Sequence, residues 1–291
     1  MKFVFYRAIK GYETALSGPI IEGAFANGDE VVVKGTDEFH EPEGDGGIIM
    51  GVVKREILWA HQRAKVPLLY FDKGFARSRT PWREQSLPTW WRMCWQATHP
   101  TDYLMRMSMP IDRMQMAGWA EPINRSNPEG HVVLLGSSQK FHHTEGLPHP
   151  TEWARDIIRQ VAELAPHRMV IYRPKPSWAD AEAIDGSTFS HGQKTAVADD
   201  LRDAFCSITY GSIACVDSIL AGIPCIVLGN GVARPVSSPV MRSLGSGAPY
   251  WAPRDHLRQW LANLAYCQFT PAEIEKGFAW ATLKEQMRYA F

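Results

Sequence analysis

The chain has 291 residues, 45% of them hydrophobic and 21% charged, which is the composition of an ordinary globular protein long enough for two cores. Its 31 acidic and 31 basic side chains cancel, so attraction to a polyanion has to come from a local patch. Five cysteines, at 94, 206, 215, 225 and 267, show neither CxxC pairing nor metal spacing. No apolar run approaches a membrane span, and the apolar stretch in MKFVFYRAIKG is too short for a signal peptide. These features exclude a disulfide scaffold and a zinc module. They set the expectation of a cytoplasmic protein with no membrane segment.

Residues 2–6 read as a first strand, 14–27 as a Gly-punctuated helix and 30–34 as a second strand. The acidic, Gly-rich loop HEPEGDGG (40–47) leads into a strand at 48–52, a helix at 54–65 and a strand at 68–71. That alternation predicts a doubly wound parallel sheet. Residues 73–110 lose the pattern and form a long stretch bearing Arg and Trp. After the polar linker NRSNPEGH (124–131) the alternation restarts, with a strand at 132–135, a helix at 151–163 opened by Thr151, and a strand at 169–173. A strand at 206–210 breaks at Gly211-Ser212 into a helix with Ile213, Val216 and Leu220 on one face. Gly222-Ile223-Pro224 ends that helix before a buried strand at 225–228, and helices at 255–266 and 271–289 close the chain. The class is α/β. Two Rossmann-like domains are expected, at 1–125 and 126–291, facing across a cleft that holds the active site, with the terminal helix able to pack back on the first domain.

The strand–helix turn at Tyr210-Gly211-Ser212 aims free backbone N–H groups at whatever lies above the sheet, and a phosphate suits that place. Ser212 is either a phosphate contact or a plain helix N-cap. Asp217, a carboxylate in an otherwise apolar helix, suits the two hydroxyls of a ribose, against the alternative of a solvated helix face. Arg173-Pro174-Lys175-Pro176 ends a strand with two cations held stiff by prolines, an arrangement suited to a diphosphate. Gly136-Ser137-Ser138 is a second small-residue turn. The segment from Gly229 through Ala233 and Arg234 ends the last clear strand and faces the same cleft. No metal site is expected, because the ten histidines form neither HxxxH nor HExxH.

In the first half, Asp72 ends a strand and is placed to act as general base on an acceptor hydroxyl, or simply to form a turn with Lys73-Gly74. Glu41, Glu43 and Asp45 are rival carboxylates. Lys73, Arg77, Arg79, Arg83 and Arg92, interleaved with Trp82, Trp90 and Trp91, suit a nucleic-acid strand or an extruded base. The competing reading is a packed loop whose arginines lie on tryptophan faces.

Together the Arg-Pro-Lys-Pro strand end, the Tyr210-Gly-Ser turn, the helix carrying Asp217 and Leu220-Ala-Gly-Ile-Pro224 resemble the GT-B glycosyltransferases. The tail at 259–280, and FDKGFARSR paired with WWRMCWQATHP, are similar to transferases encoded by phages and prophages. Some of these add sugars to hydroxymethylated pyrimidines in DNA. The resemblance covers 66–101 and 131–280. It departs from many relatives at Asp217, where they carry Glu, and at Lys175, where they carry His.

The resemblance implies a UDP-sugar as co-substrate on the second domain, with no obligatory metal or other cofactor. Gly136, Ser137, Arg173, Lys175, Tyr210, Gly211, Ser212, Asp217, Ala233 and Arg234 would hold it. The acceptor lies on the first domain, with 5-hydroxymethyl pyrimidine DNA in the leading reading, reached by Lys73, Arg77, Arg79, Arg83, Trp90, Trp91 and Arg92. Asp72 then takes the acceptor proton and one displacement inverts the anomeric centre. A phage-encoded enzyme of this kind would work in the host cytoplasm. The competing expectations are a surface polysaccharide or other glycan as acceptor, a nucleotide-sugar 2-epimerase using the acidic loop, and a non-enzymatic nucleotide-binding module.

Overall fold

The computed structural model describes residues 1–7, 12–51, 55–76, 90–247 and 249–291, with 12–15 and 246 described by their backbone alone. In chain order the first part holds β1 (Lys2–Arg7), α1 (Tyr12–Phe25), β2 (Glu30–Gly35), β3 (Gly46–Met50), α2 (Arg55–Ala64), β4 (Leu68–Lys73), β5 (Trp91–Trp95), α3 (Thr101–Leu104) and α4 (Asp112–Met116). Next come β6 (Val132–Leu135), α5 (Gln139–Glu145), α6 (Pro150–Leu164), β7 (Val170–Arg173), β8 (Thr188–Phe189), α7 (Val197–Leu201), β9 (Cys206–Thr209), α8 (Ala214–Leu220) and β10 (Cys225–Val227). The chain closes with α9 (Arg254–Ala265), β11 (Gln268–Phe269), α10 (Pro271–Glu275) and α11 (Phe278–Ala290). Among the described residues no helix is long and apolar enough to cross a membrane.

Two compact units emerge. Among the described residues the first gathers 1–76, 90–113 and 262–291, and the second comprises 114–261. The sequence boundary at 125/126 therefore differs from the structural one. The last thirty residues belong with the first sheet because β11 pairs with β5 and Arg113 holds the segment around it.

The first unit is built on a six-stranded sheet in the order β2-β1-β3-β4-β5-β11. β2, β1, β3 and β4 run parallel, in registers such as Val4↔Val32 and Ile48↔Leu69, while β5 and β11 are antiparallel to their neighbours. Phe3, Phe5 and Phe71 are fully buried on the sheet, with Phe5 edge-on to Phe71 at 5.5 Å. A strand covered on both faces has to be apolar throughout, which is why β1 reads as a continuous hydrophobic run. β5 lies inside the stretch where the sequence pattern fails: Trp91, Met93 and Trp95 alternate with Arg92 and Cys94, and all five are buried.

Two charged hubs fix the returning segment of this unit. The buried Arg113 guanidinium donates to Ala265 O, Gln268 O and both Glu273 oxygens, and it lies over the rings of Trp90, Tyr266, Phe269 and Phe278. Asp29 accepts from the Met1 amine, Trp280 Nε1 and Lys284 Nζ at 2.7–2.8 Å. Burial works against its charge, but those donors outweigh it and hold the Asp29 carboxyl at about 2. The single helix expected at 271–289 is two helices. Gly277, at φ 80°, ends α10 in a left-handed conformation that few other residues adopt, and α11 starts on a new axis.

The second unit carries a five-stranded, wholly parallel sheet in the order β8-β7-β6-β9-β10. Counted within the unit this is 3-2-1-4-5, the doubly wound order, whose direction reverses between β6 and β9. Val132, Leu134, Ile158, Tyr172, Phe205 and Ile208 form the core on one face of the sheet, and Val133, Leu135, Leu201 and Ile223 pack on the other. α6 begins at Pro150 with His149 as its N-cap, one turn position ahead of the Thr151 start read from sequence.

Candidate functional site

In open parallel sheets ligands dock beyond the carboxyl ends of the strands where the strand order reverses. In the second unit that place is bounded by the loops after β6, β9 and β10, and these loops meet largely through backbone. The Thr209 hydroxyl donates to Leu135 O at 2.8 Å and accepts from Ser212 N at 3.0 Å, tying the ends of β6 and β9 together. A Cβ on Gly136 would stand 3.1 Å from Pro174 Cα, one on Gly211 would stand 2.7 Å from the Phe141 ring, and one on Gly231 would meet Gly211 Cα at 3.2 Å. Gly229 lies flat against the Tyr210 ring and donates its N–H to Tyr210 O at 3.0 Å. Glycine is needed at these positions because the loops approach too closely for side chains. The result is a junction of small residues at which Gly136, Ser137, Gly211, Gly229 and Gly231 are all buried and Tyr210 is half-buried.

Ser212 does not stand at the N-cap. α8 starts at Ala214 with Ile213 as its cap, and Ser212 Oγ accepts from Ala214 N at 3.4 Å, one position early. A hydroxyl that accepts one bond still has its hydrogen to donate. Asp217 is half-buried on α8, and its backbone carbonyl receives the Ala221 N–H.

The cations expected around a diphosphate divide. Arg173 is a correction: its guanidinium is buried and ion-paired with Asp200. It also donates to Ser190 Oγ, Thr195 Oγ1, Thr195 O and Gly192 O. A guanidinium so fully engaged inside the protein holds the 190–200 segment and has little left for a ligand. Lys175 and Arg234 are exposed, with Arg234 Nη1 donating to Gly229 O at 3.1 Å, and Ala233 is fully buried beside it.

Glu145 was not singled out from sequence. It lies four residues after Phe141 on α5, hence on the same helical face, and that spacing was the available signal. Burial raises the Tyr210 phenol; the Glu145 charge raises it further and Arg234 lowers it. Burial also pushes the Glu145 carboxyl up.

In the first unit Asp72, the last residue but one of β4, lies directly opposite Arg92 on β5. Arg92 Nη2 donates to Asp72 Oδ2 at 3.1 Å and to Tyr70 Oη at 3.2 Å, the Tyr70 hydroxyl donates to Asp72 Oδ2 at 3.0 Å, and Lys73 N donates to Asp72 Oδ1 at 2.7 Å. Burial disfavours the Arg92 charge, but Tyr70 and Asp72 outweigh it and raise its pKa; burial likewise drives the Tyr70 phenol up. Asp72 is thus engaged by three donors from its own unit.

The nucleic-acid surface expected here is corrected in part. Trp91 and Arg92 are core residues, 3% and 6% exposed, that stabilise β5 and face no solvent. Lys73 is exposed and Trp90 half-buried, while Arg77, Arg79 and Arg83 lie outside the described residues. Among the described residues no cluster of three or more His, Cys, Asp or Glu could hold a metal ion.

No family model and no curated protein matches the chain. Solved structures do. A beta Kdo 2,4 transferase, KpsC of Thermosulfurimonas dismutans, aligns with a TM-score of 0.58 at 15% identity, covering 96% of this chain and 97% of that one. The beta Kdo 2,7 transferase KpsC of the same organism aligns with a TM-score of 0.51 at 10% identity, covering 97% and 99%. The fold is GT-B. At these identities the likeness is one of architecture: two Rossmann-like units, matched along nearly the whole of both chains.

Proposed function

We propose that the protein is a glycosyltransferase that moves a sugar from a nucleotide-sugar donor to a hydroxyl acceptor. The observation that carries this reading is the meeting of glycine- and serine-bearing loops (Gly136-Ser137, Gly211-Ser212 and Gly231) at the β6–β9 reversal, in a fold shared along its length with Kdo transferases. The donor diphosphate, UDP in the leading form, lies against Gly136, Ser137, Gly211 and Ser212, with Lys175 and Arg234 beside it and Asp217 towards the ribose. As the anomeric bond breaks, negative charge gathers on the leaving phosphate. Fixed N–H groups and two cations stabilise that charge more than they stabilise the bound donor, and this difference is catalysis.

A glycan hydroxyl is the favoured acceptor. Two residues of the DNA-binding set, Trp91 and Arg92, are buried, and the solved structures of like fold are described as beta Kdo transferases. DNA bearing 5-hydroxymethyl pyrimidines is the second arm of the test, supported by exposed Lys73 and the Arg-rich 77–92 sequence.

The test is a thermal-shift panel of UDP, CMP, GDP and pyrophosphate, followed by transfer from the matching sugar donors to oligosaccharides and to modified duplex DNA. A stabilising nucleotide and a glycosylated oligosaccharide product support the reading. Product on DNA alone, falling steeply with added salt, moves the acceptor to nucleic acid. No stabilisation by any member of the panel, together with no donor turnover, overturns the reading.

A further inference from the structure

We infer that Glu145 is the general base that takes the acceptor proton, a role that rests on the transferase reading above. Four observations lead there. Phe141 and Glu145 share one face of α5, and Phe141 lies against Gly211 and edge-on to Tyr210 at 6.3 Å, so that face of the helix borders the junction at the β6–β9 reversal. The Glu145 charge raises the Tyr210 phenol and the Arg234 charge lowers it. Burial alone pushes the Glu145 carboxyl above its usual value, with no cation among the causes. It also occupies the last turn of its helix, where the dipole disfavours an anion.

The contrast with Asp72 is chemical. Asp72 accepts from Arg92, Tyr70 and Lys73 N, so its oxygens are already engaged within the protein. A carboxylate whose pKa burial raises is the stronger base. In the step, the acceptor O–H bond breaks and its proton goes to the Glu145 carboxylate. The freed electron pair forms the new bond to the anomeric carbon, and the old bond's pair leaves with the nucleotide phosphate. Glu145 then returns the proton to solvent.

The test uses the full chain labelled with carboxyl-¹³C glutamate, Glu145→Gln to assign the resonance, and UDP as probe. The expected result is a Glu145 titration above 4.5 that rises by about one unit at saturating UDP, because a diphosphate nearby disfavours a second negative charge. UDP that binds while leaving this resonance unmoved overturns the inference and spares the donor site. Failure of UDP, CMP, GDP and pyrophosphate to bind at all overturns the donor reading and the inference with it. In turnover, Glu145→Gln is expected to lower kcat about 100-fold while the donor KM changes less than about threefold, with Glu145→Asp recovering part of the rate. A rise in KM at constant kcat would instead make Glu145 a sugar-binding contact and refute the base role.

Discussion

At the carboxyl end of β4 an arginine meets an aspartate across a strand pair, and a tyrosine and a backbone N–H complete the set. At the carboxyl ends of β6, β9 and β10 stand glycines, serines and an arginine that reaches solvent. Both sheets place polar residues where a parallel sheet receives its ligand, but in the first unit they satisfy one another. In the second, buried glycines bring the loops together, and Lys175 and Arg234 are exposed. Arg173 shows the rule within a single unit. It ends a strand, as a phosphate ligand would, but burial and Asp200 make it a scaffold residue. Position at a strand end therefore does not separate a ligand-binding cation from a structural one, whereas burial and internal partners do.

That contrast can be broken by mutation. The largest effect is expected at Arg113→Ala, which strands Glu273 and the carbonyls of Ala265 and Gln268 in a buried site; about 3–5 kcal/mol should be lost in chemical denaturation. Asp200→Asn, which leaves the Arg173 charge buried without its counter-ion, should cost about 3 kcal/mol. It should reduce nucleotide affinity far less than it reduces stability; an affinity loss in proportion would return Arg173 to the ligand site.

Asp29 comes next. Its folded pKa of about 2 lies below the unfolded value, so its contribution of about 2 kcal/mol is complete above roughly pH 4 and disappears as pH falls towards 2. Asp29→Asn should remove that acid-limb dependence, measured as the unfolding midpoint against pH.

Arg234→Ala should leave stability within about 0.5 kcal/mol while weakening nucleotide binding about tenfold by calorimetry. Equal affinity in the variant would mean that the exposed cation is only surface charge. The smallest effect is expected at Lys73→Ala, within about 0.5 kcal/mol of wild type in stability.

Strands with uninterrupted apolar runs were readable from sequence almost to the residue. Residues 132–135 match β6 and 225–228 match β10 to within one residue, because a strand buried on both faces leaves no other pattern. Residues 206–210 match β9 to within one residue as well, although it carries Ser207 and Thr209, whose hydroxyls bond to Ser218 and Leu135 O. β5 was not readable, since Arg92 interrupts its hydrophobic run and is paired with Asp72 and Tyr70, which lie twenty or more residues away. β8 and β11, two residues each, are too short to carry any period. At the site, the glycine turns at 136 and 211 announced close backbone approach. The burial of Arg173 and Arg92 depended on partners distant in sequence, Asp200 and Tyr70, which local pattern does not reveal. Glu145 went unnoticed because its significance comes from Phe141 lying on Gly211, a contact between loops of different strands.

The most direct check is an amide NMR titration of the ¹⁵N-labelled protein with UDP. Saturable shifts should centre on 136–138, 210–212 and 229–234, with Arg234→Ala weakening them about tenfold. Shifts confined to the first unit around Asp72 and Arg92, or none at millimolar nucleotide, would contradict a donor site at the β6–β9 reversal.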